Sequence, residues 1–574
     1  MRKQFLLTIV AVCFLAIPGL LAQQQESYTF CPSGSYSYLF DTVSTSTSSY
    51  YARWSTGTTG YSAKFQKDTI YQSSGTGSGA GGYGSVKKWP CTSTTTLGTA
   101  WTYTASNMHH DICPLPNGNV LVIVSETKTA TQIQAVGGTY SGSATFEKIQ
   151  EIHFTGASTG TVVWEWKLWD HMCQNTTSTE PNYVTSIAQN PQLFNIATVT
   201  SNDFFHLNGI DYNPTLDQIV FSSHMKNEIF VIDHSTTTAQ AATHAGGNAG
   251  KGGDFLYRWG SPDNYGLSAT GNGVTLNVIH DVRWVPSTNQ DYPDYISMFH
   301  NGGCSSGKGI VLFLPPYSTT DPYNYTYTPG SVIGPASATT PTTPSFSVTN
   351  QGGAMVCENG NILITNPGSK FYECSGSGTT YQQITVTAVQ SERLKKCEVL
   401  GPFPTASTST TSVCVGTDFT LSSSATAPLQ TSPSYTYSWS STPSGFTSTS
   451  QNPLVTPTTA GTNIYTVTVS SGGCSNTASV TVTVDACVGI EETADNFNDV
   501  NVFPNPTTGL INLDDAFTSK TDFEIFVYNT FGEIVSQGKN LKTIDLSVFS
   551  DGIYYLKVKM DNMNVINKKI ILLK

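Results

Sequence analysis

An all-β fold is what this sequence predicts, and three observations predict it. Charged residues make up only 11% of the 574. Short runs of Val, Ile, Thr, Tyr and Phe recur between clusters of Gly, Asn, Pro and Ser, which is how strands and tight turns alternate. Long stretches rich in Ala, Glu, Lys and Leu, the stuff of long helices, are almost absent. The sequence predicts a six-bladed β-propeller, then an immunoglobulin-like β-sandwich, then a small C-terminal β-sandwich. A jelly roll is the competing fold for the first region.

The N-terminus carries Arg2 and Lys3, then an apolar run from Phe5 to Leu21, then Ala22. That is the pattern of a cleaved signal peptide over residues 1–22. The apolar run is short for a membrane span and polar residues follow it, so no transmembrane anchor is expected. Of twelve cysteines, Cys13 lies inside the leader. The remaining odd number leaves at least one thiol unpaired in an oxidising compartment. No Cys/His spacing suits a structural zinc site, so no metal and no cofactor is expected. The formal net charge of −12 and the lack of a basic stripe exclude nucleic acid as a partner.

Composition divides the rest. Residues 24–398 are rich in Gly and aromatics and hold all ten histidines. Residues 399–487 alternate Ser/Thr with Val and Tyr, as in Asn463-Ile464-Tyr465-Thr466-Val467. Cys414, Trp439 and Cys474 there suit a sandwich core with a Cys414–Cys474 disulfide. A linker at 488–498 precedes residues 499–574, where Lys, Asp, Asn and Ile increase. Turn signals at Thr530-Phe531-Gly532 and Asp551-Gly552 predict hairpins in this last region.

A strand–turn–strand pattern repeats within 24–398. One copy runs from His110-Asp111 through Asn117-Gly118 to Ser125-Glu126. A second runs from His206-Leu207-Asn208 through Asn213-Pro214 to Ser223-His224, and a third from His280-Asp281 to His300-Asn301. A fourth, from Gln351-Gly352 to Thr365-Asn366, has Gln in place of the leading His. Aromatic strands precede three copies, at Trp101-Thr102-Tyr103, Val162 to Trp166 and Leu256 to Trp259. Repeated units of this kind close into a propeller.

In a hairpin the first residue of one strand lies beside the last of the next. His110 is therefore expected beside Glu126, His206 beside His224, and His280 beside His300 and Asn301. Equivalent positions of successive blades share one rim of the central channel. Clustered imidazoles there suit general acid–base or nucleophilic chemistry. His153 and His234 read as structural or solvated. His244 lies in a Gly-rich loop, Thr243 to Gly253, that edges a pocket. A metal-dependent hydrolase is the weaker reading, since Glu126 and two Asp residues are the nearby carboxylates.

These residues resemble bacterial arylsulfotransferases. The likeness rests on His109-His110-Asp111, Trp164-Glu165-Trp166 with Trp169-Asp170-His171, His206-Leu207-Asn208, Asn227 to Asp233, Arg258-Trp259-Gly260 and His280-Asp281. It implies a six-bladed propeller that moves a sulfuryl group from an aryl sulfate to a phenol through a transiently sulfated His, with no nucleotide donor. It implies that His280 is the nucleophile, that His206 and Asn208 bind sulfuryl oxygens, and that His110 assists proton transfer. His224 stands where the family often has Arg. To replace a guanidinium, His224 is expected to be partly protonated.

Two further resemblances follow. Residues 399–487 are similar to PKD-like modules, read as a spacer. The set Val502-Phe503-Pro504-Asn505-Pro506-Thr507-Thr508-Gly509, Gly552-Ile553-Tyr554-Tyr555 and Lys568-Lys569-Ile570-Ile571 resembles the C-terminal sorting domain of type IX secretion. It implies a Bacteroidota-type bacterium, a partnership with that machinery, and release to the surface or medium. The competing functional reading is a non-catalytic propeller that binds glycans or other surface ligands.

Overall fold

The computed structural model describes residues 27–57, 59–77, 82–268, 275–486, 500–514, 522–560 and 565–574. The expected leader at 1–22 and linker at 488–498 lie outside these residues. The regular structure of the described residues is nearly all strand, and two compact units are present.

Residues 27–395 form a β-propeller of successive antiparallel sheets. The first sheet takes Ser27–Ser33, Tyr36–Phe40 and Ala52–Ser55 from the N-terminal end and Glu392–Lys395 from the far end. Pairing of Ser27–Ser33 with Glu392–Lys395 joins the two ends of the ring. A seven-stranded sheet follows, from Thr59–Gln66 to Thr159–Lys167. Its long strand Trp101–Pro114 pairs on one side with Gly82–Pro90 and on the other with Val120–Lys128. The remaining sheets comprise Leu207–Asn213 to Tyr257–Gly260, Ile279–Trp284 to Ile310–Phe313, and Gly353–Val356 to Thr380–Thr385.

Sheets packed on both faces need apolar residues at successive positions. Gln218–Ser223 and Glu228–Asp233 are buried at every position. Each sheet buries itself against the next. Leu121, Trp166, Phe221 and Phe230 share one core, Ile229, Trp259, Met298 and Phe313 another, and Phe299, Leu312 and Ile364 a third. Phe40, Leu363 and Phe371 pack the last sheet on the first. Truncating one of these aromatics, such as Phe221→Ala, costs about 3–5 kcal/mol. Turn chemistry matches the sequence at Asn117-Gly118, where Gly118 has φ +85° and the Leu115 N–H donates to Asn119 O at 2.9 Å.

Residues 403–485 form a sandwich of a three-stranded and a five-stranded sheet around the buried Trp439. It clusters with the propeller in one compact unit. The disulfide differs from expectation: Cys474 is bonded to Cys397, on the short helix Lys396–Leu400. The bond therefore ties the sandwich to the end of the propeller instead of closing the sandwich on itself.

The second unit holds two small sheets. Phe523–Tyr528 and Ile534–Lys539 form the hairpin expected at Thr530-Phe531-Gly532. Asp551-Gly552 is no hairpin: Thr543–Asp545 pairs with Leu510–Leu513, and Gly552–Met560 enters the other sheet beside Phe523–Tyr528.

Candidate active site

Three inner strands break register near one end. The breaks fall between His109 and Ile112, Leu207 and Gly209, and His280 and Arg283. Such bulges re-aim side chains and gather next to active sites. Each carries a non-glycine residue in the left-handed region: His110 at φ +56°, His206 at +52° and Asp281 at +46°. Gln351 takes the same conformation, at +61°, just before its strand. Left-handed conformations at non-glycine residues cost on the order of 1–3 kcal/mol each and gather at functional sites. By conformation, His280 corresponds to His109 and Asp281 to His110, one residue off the His-Asp match visible in the sequence.

The bulges bring the leading histidines together. Ring centroids lie 4.6 Å apart for His110 and His206, 5.0 Å for His206 and His224, and 5.5 Å for His224 and His280. Tyr61 packs its ring 4.7 Å from that of His110.

A hydrogen-bonded chain runs through part of this cluster. Glu147 Oε2 is 2.9 Å from His109 Nε2, and His109 Nδ1 is 2.8 Å from His110 Nδ1. His110 Nε2 is 3.1 Å from His206 Nε2, and His206 Nδ1 is 2.7 Å from Asp203 Oδ2. Each of these four contacts needs one hydrogen. Three neutral imidazoles carry three hydrogens between them. The chain thus holds one additional proton, shared by three imidazoles between two carboxylates. Glu147 and His109 are buried, whereas the Asp203 side chain is 57% exposed, so the chain leads from the interior to the mouth. Burial, then the neighbouring His109, His206, His280 and His224 rings, hold His110 well below the usual imidazole range. The bond from His206 keeps the Asp203 carboxyl low.

His280 sits at the other end of the ring cluster. Its Nδ1 is 2.9 Å from Asn301 Oδ1, and its Nε2 accepts the Gln351 N–H at 3.2 Å. The Asn301 amide donates to Gln351 O at 2.8 Å, which fixes the amide's orientation. Nδ1 is then the protonated nitrogen, and Nε2 keeps the lone pair. Burial lowers His280 to about 3, so the ring is neutral. His224 is also pushed down, by burial and then by His206, although Asp203 opposes this. The protonated His224 expected as a guanidinium substitute is therefore disfavoured in the free protein. Its Nδ1 is buried and has no hydrogen-bond partner.

Three expected site residues stand apart. Glu126 lies past the end of the bulged pairing, 3.0 Å from Lys128 Nζ, because the bulge at His110 sets Met108 and His109 opposite Val124 and Ile123. His300 turns to its own loop and accepts the Asn277 N–H at 3.0 Å. Asn208 is fully buried and donates to Ile279 O at 2.7 Å while accepting from Ser222 Oγ at 2.8 Å. Its amide ties two sheets together and is not turned to the mouth. His234 bonds Asp217 and Glu151 at 2.8 and 3.2 Å, in a structural role.

A buried ionic layer underlies the histidines. Lys64 Nζ lies 3.5 Å from Asp111 and 3.6 Å from Glu392. Arg283 reaches Asp281 at 3.0 Å and Glu392 at 3.3 Å. Asp111 thus pairs with Lys64 of its own sheet and Asp281 with Arg283 of its own strand, while Glu392 joins the two cations from the first sheet, and neither Asp is a triad partner to its His. Glu147 and Asp203, which complete the site, carry no local sequence signal, whereas Gln351 shows only as the residue in the leading-His place of the fourth repeat. His109 was visible only as part of a motif.

Residues 92–324, which contain every histidine of the cluster, match the family model for arylsulfotransferase (ASST). That stretch of the propeller is similar to the arylsulfotransferase family. Residues 501–573 match the secretion system C-terminal sorting domain. This tail marks the chain for type IX export to the cell surface or the extracellular space. No helix among the described residues is long and apolar enough to cross a membrane. No curated protein matches the chain.

Solved structures show distant likenesses. The extracellular domain of a hybrid two component system of B. thetaiotaomicron is 10% identical at TM-score 0.27. That match covers 89% of this chain but 55% of the other, so this chain spans little more than half its length. The periplasmic gluconolactonase PpgL of Pseudomonas aeruginosa is 10% identical at TM-score 0.35, over 64% of this chain and 99% of the other. The fibronectin(III)-like modules of Clostridium thermocellum CbhA are 11% identical at TM-score 0.12, over 29% and 93%.

Proposed function

We propose that this arylsulfotransferase-like chain transfers a sulfuryl group from an aryl sulfate to a phenol through a sulfated His280. We also infer six blades, counting the seven-stranded sheet as two four-stranded blades that share Trp101–Pro114. The observation that carries the proposal is the proton-sharing chain from Glu147 to Asp203 beside a neutral His280.

In the first half-reaction, His280 Nε2 releases the Gln351 N–H and attacks sulfur. The N–S bond forms as the S–O bond to the aryl group breaks. The leaving phenolate takes the shared proton from His206, and all three imidazoles of the chain are left neutral. In the second half-reaction an acceptor phenol gives its proton to His206 as its oxygen attacks sulfur and the N–S bond breaks. The shared proton returns, and the cycle needs no cofactor. A cationic imidazole at the mouth stabilises charge on the leaving oxygen, and a proton donor so placed contributes about 10²–10⁴-fold.

Parallel initial-rate lines for a chromogenic aryl sulfate with varied phenol support this scheme, as two half-reactions require. Intersecting lines would speak for direct transfer. An absence of turnover with any aryl sulfate would favour the non-catalytic, ligand-binding propeller.

A further inference from the structure

A second polar cluster lies outside the ring cluster, where Thr159–Lys167 meets the Gly-rich loop after the short helix Thr238–Ala241. His171 Nδ1 is 2.9 Å from Asp254 Oδ1, and His244 Nδ1 is 2.7 Å from the same oxygen. The three ligand-type atoms lie within 4.8 Å of one another. His171 is completely buried, Asp254 is nearly so, and His244 is exposed.

His171 decides what this cluster needs. Its Nε2 is 2.7 Å from Ala241 O, a carbonyl that only accepts, so Nε2 carries the hydrogen. In the neutral ring Nδ1 then has a lone pair aimed at a carboxylate oxygen. Two lone pairs at that distance repel, so either a proton or a metal ion lies between them, and the second imidazole at the same oxygen is what favours the metal. A buried imidazole pinned by a backbone carbonyl through its far nitrogen is also how metal-bound histidines are oriented. The surroundings hold the ring in place. Trp166 stacks parallel to it, with centroids 5.8 Å apart, and donates from Nε1 to Gly253 O at 2.7 Å. A Cβ on Gly253 would collide with the His171 ring and Ala241 O.

We propose that His171 Nδ1, His244 Nδ1 and Asp254 bind one zinc-class divalent ion, with a fourth position open to solvent beside His244. Two imidazoles and one carboxylate suit zinc over calcium or magnesium. Bonds of about 2.0–2.2 Å need the ligand atoms a little further apart than they stand. The exposed His244 supplies that adjustment from a loop with left-handed glycines at 246, 247, 250 and 252. The ion clamps this loop onto the strand that carries Trp164 and Trp166. The site departs from the metal-free expectation because its ligands are far apart in sequence and form no spacing motif.

The test is titration of the chelator-stripped secreted chain with Co²⁺, read by visible absorbance, then displacement by Zn²⁺. The expected result is one equivalent with the intense bands of a tetrahedral ion. His244→Gln and Asp254→Asn should each weaken binding at least about tenfold. His224→Gln is the control, since the ring cluster at the propeller mouth also offers imidazoles, and it should leave binding unchanged. No stoichiometric Co²⁺ binding would overturn the proposal. So would binding that survives His244→Gln and is lost in His224→Gln.

Discussion

His206 Nε2 and His110 Nε2 face each other across 3.1 Å, from adjacent inner strands of the propeller, with one hydrogen between them. Neither residue adopts ordinary strand geometry. Left-handed backbone at both turns the two rings toward each other, a strain of the order of 1–3 kcal/mol per residue. The bond they form extends a proton path from buried Glu147 to exposed Asp203.

The path makes Glu147 a positioning residue whose loss can be read. Glu147→Gln keeps the shape but removes the carboxylate that retains the shared proton. We expect kcat to fall about 10²-fold with KM little changed, and activity to be lost at lower pH than in the native chain. An equal loss at every pH would mean that Glu147 is merely structural.

His224 is held below the usual imidazole range by burial and by His206, which favours the neutral ring at pH 7. His224→Gln should leave the alkaline limb of the pH–rate profile in place, because the shared proton and not His224 sets it. His224→Arg should raise affinity for the sulfate ester by supplying a permanent charge. An alkaline limb that disappears in His224→Gln would show that His224 itself carries the catalytic proton.

Neutral buried histidines make the fold acid-sensitive. Folded His280 stays unprotonated down to about 3, and His110 is also held low, whereas unfolded histidines take up protons from about 6.5. The unfolded chain therefore binds more protons as pH falls from about 6.5 toward 3, and stability is lost over that window. Each group contributes a slope of about 1.4 kcal/mol per pH unit. Denaturant melts at pH 7 and 4.5 should show the loss, and it should shrink in His280→Gln. An unchanged loss in that variant would place the acid sensitivity elsewhere.

Peptide mapping should recover Cys397 joined to Cys474. Cys474→Ala should lower stability by about 2–4 kcal/mol, since the bond closes a long loop between propeller and sandwich. A Cys414–Cys474 peptide would contradict the fold described here.

Much of this was legible in the sequence. Period-two strands, Asn-Gly turns and the repeated His placed the propeller, and the convergence of His110, His206, His224 and His280 followed from treating the copies as equivalent. The failures share one cause. A bulge shifts side chains by a residue without leaving a compositional trace, which moved Glu126 away from His110 and aligned His280 with His109. Partners from other strands, such as Glu147 at His109 and Lys64 at Asp111, depend on tertiary packing. Asn208 looked like a ligand because a buried amide that ties two sheets has the same sequence signature as one that binds substrate. Cys397 was passed over because it sits at a domain boundary, outside the Cys414–Trp439–Cys474 pattern.

The central claim is that His280 forms a covalent bond to sulfur. Rapid acid-free quenching after mixing with an aryl sulfate and no acceptor, followed by peptide mass spectrometry, tests it most directly. One sulfuryl group is expected on the peptide containing His280, with its disappearance when a phenol is added and its absence from His280→Ala. A sulfuryl group on a peptide carrying His110 or His206 but not His280, or full transferase activity in His280→Ala, would contradict it.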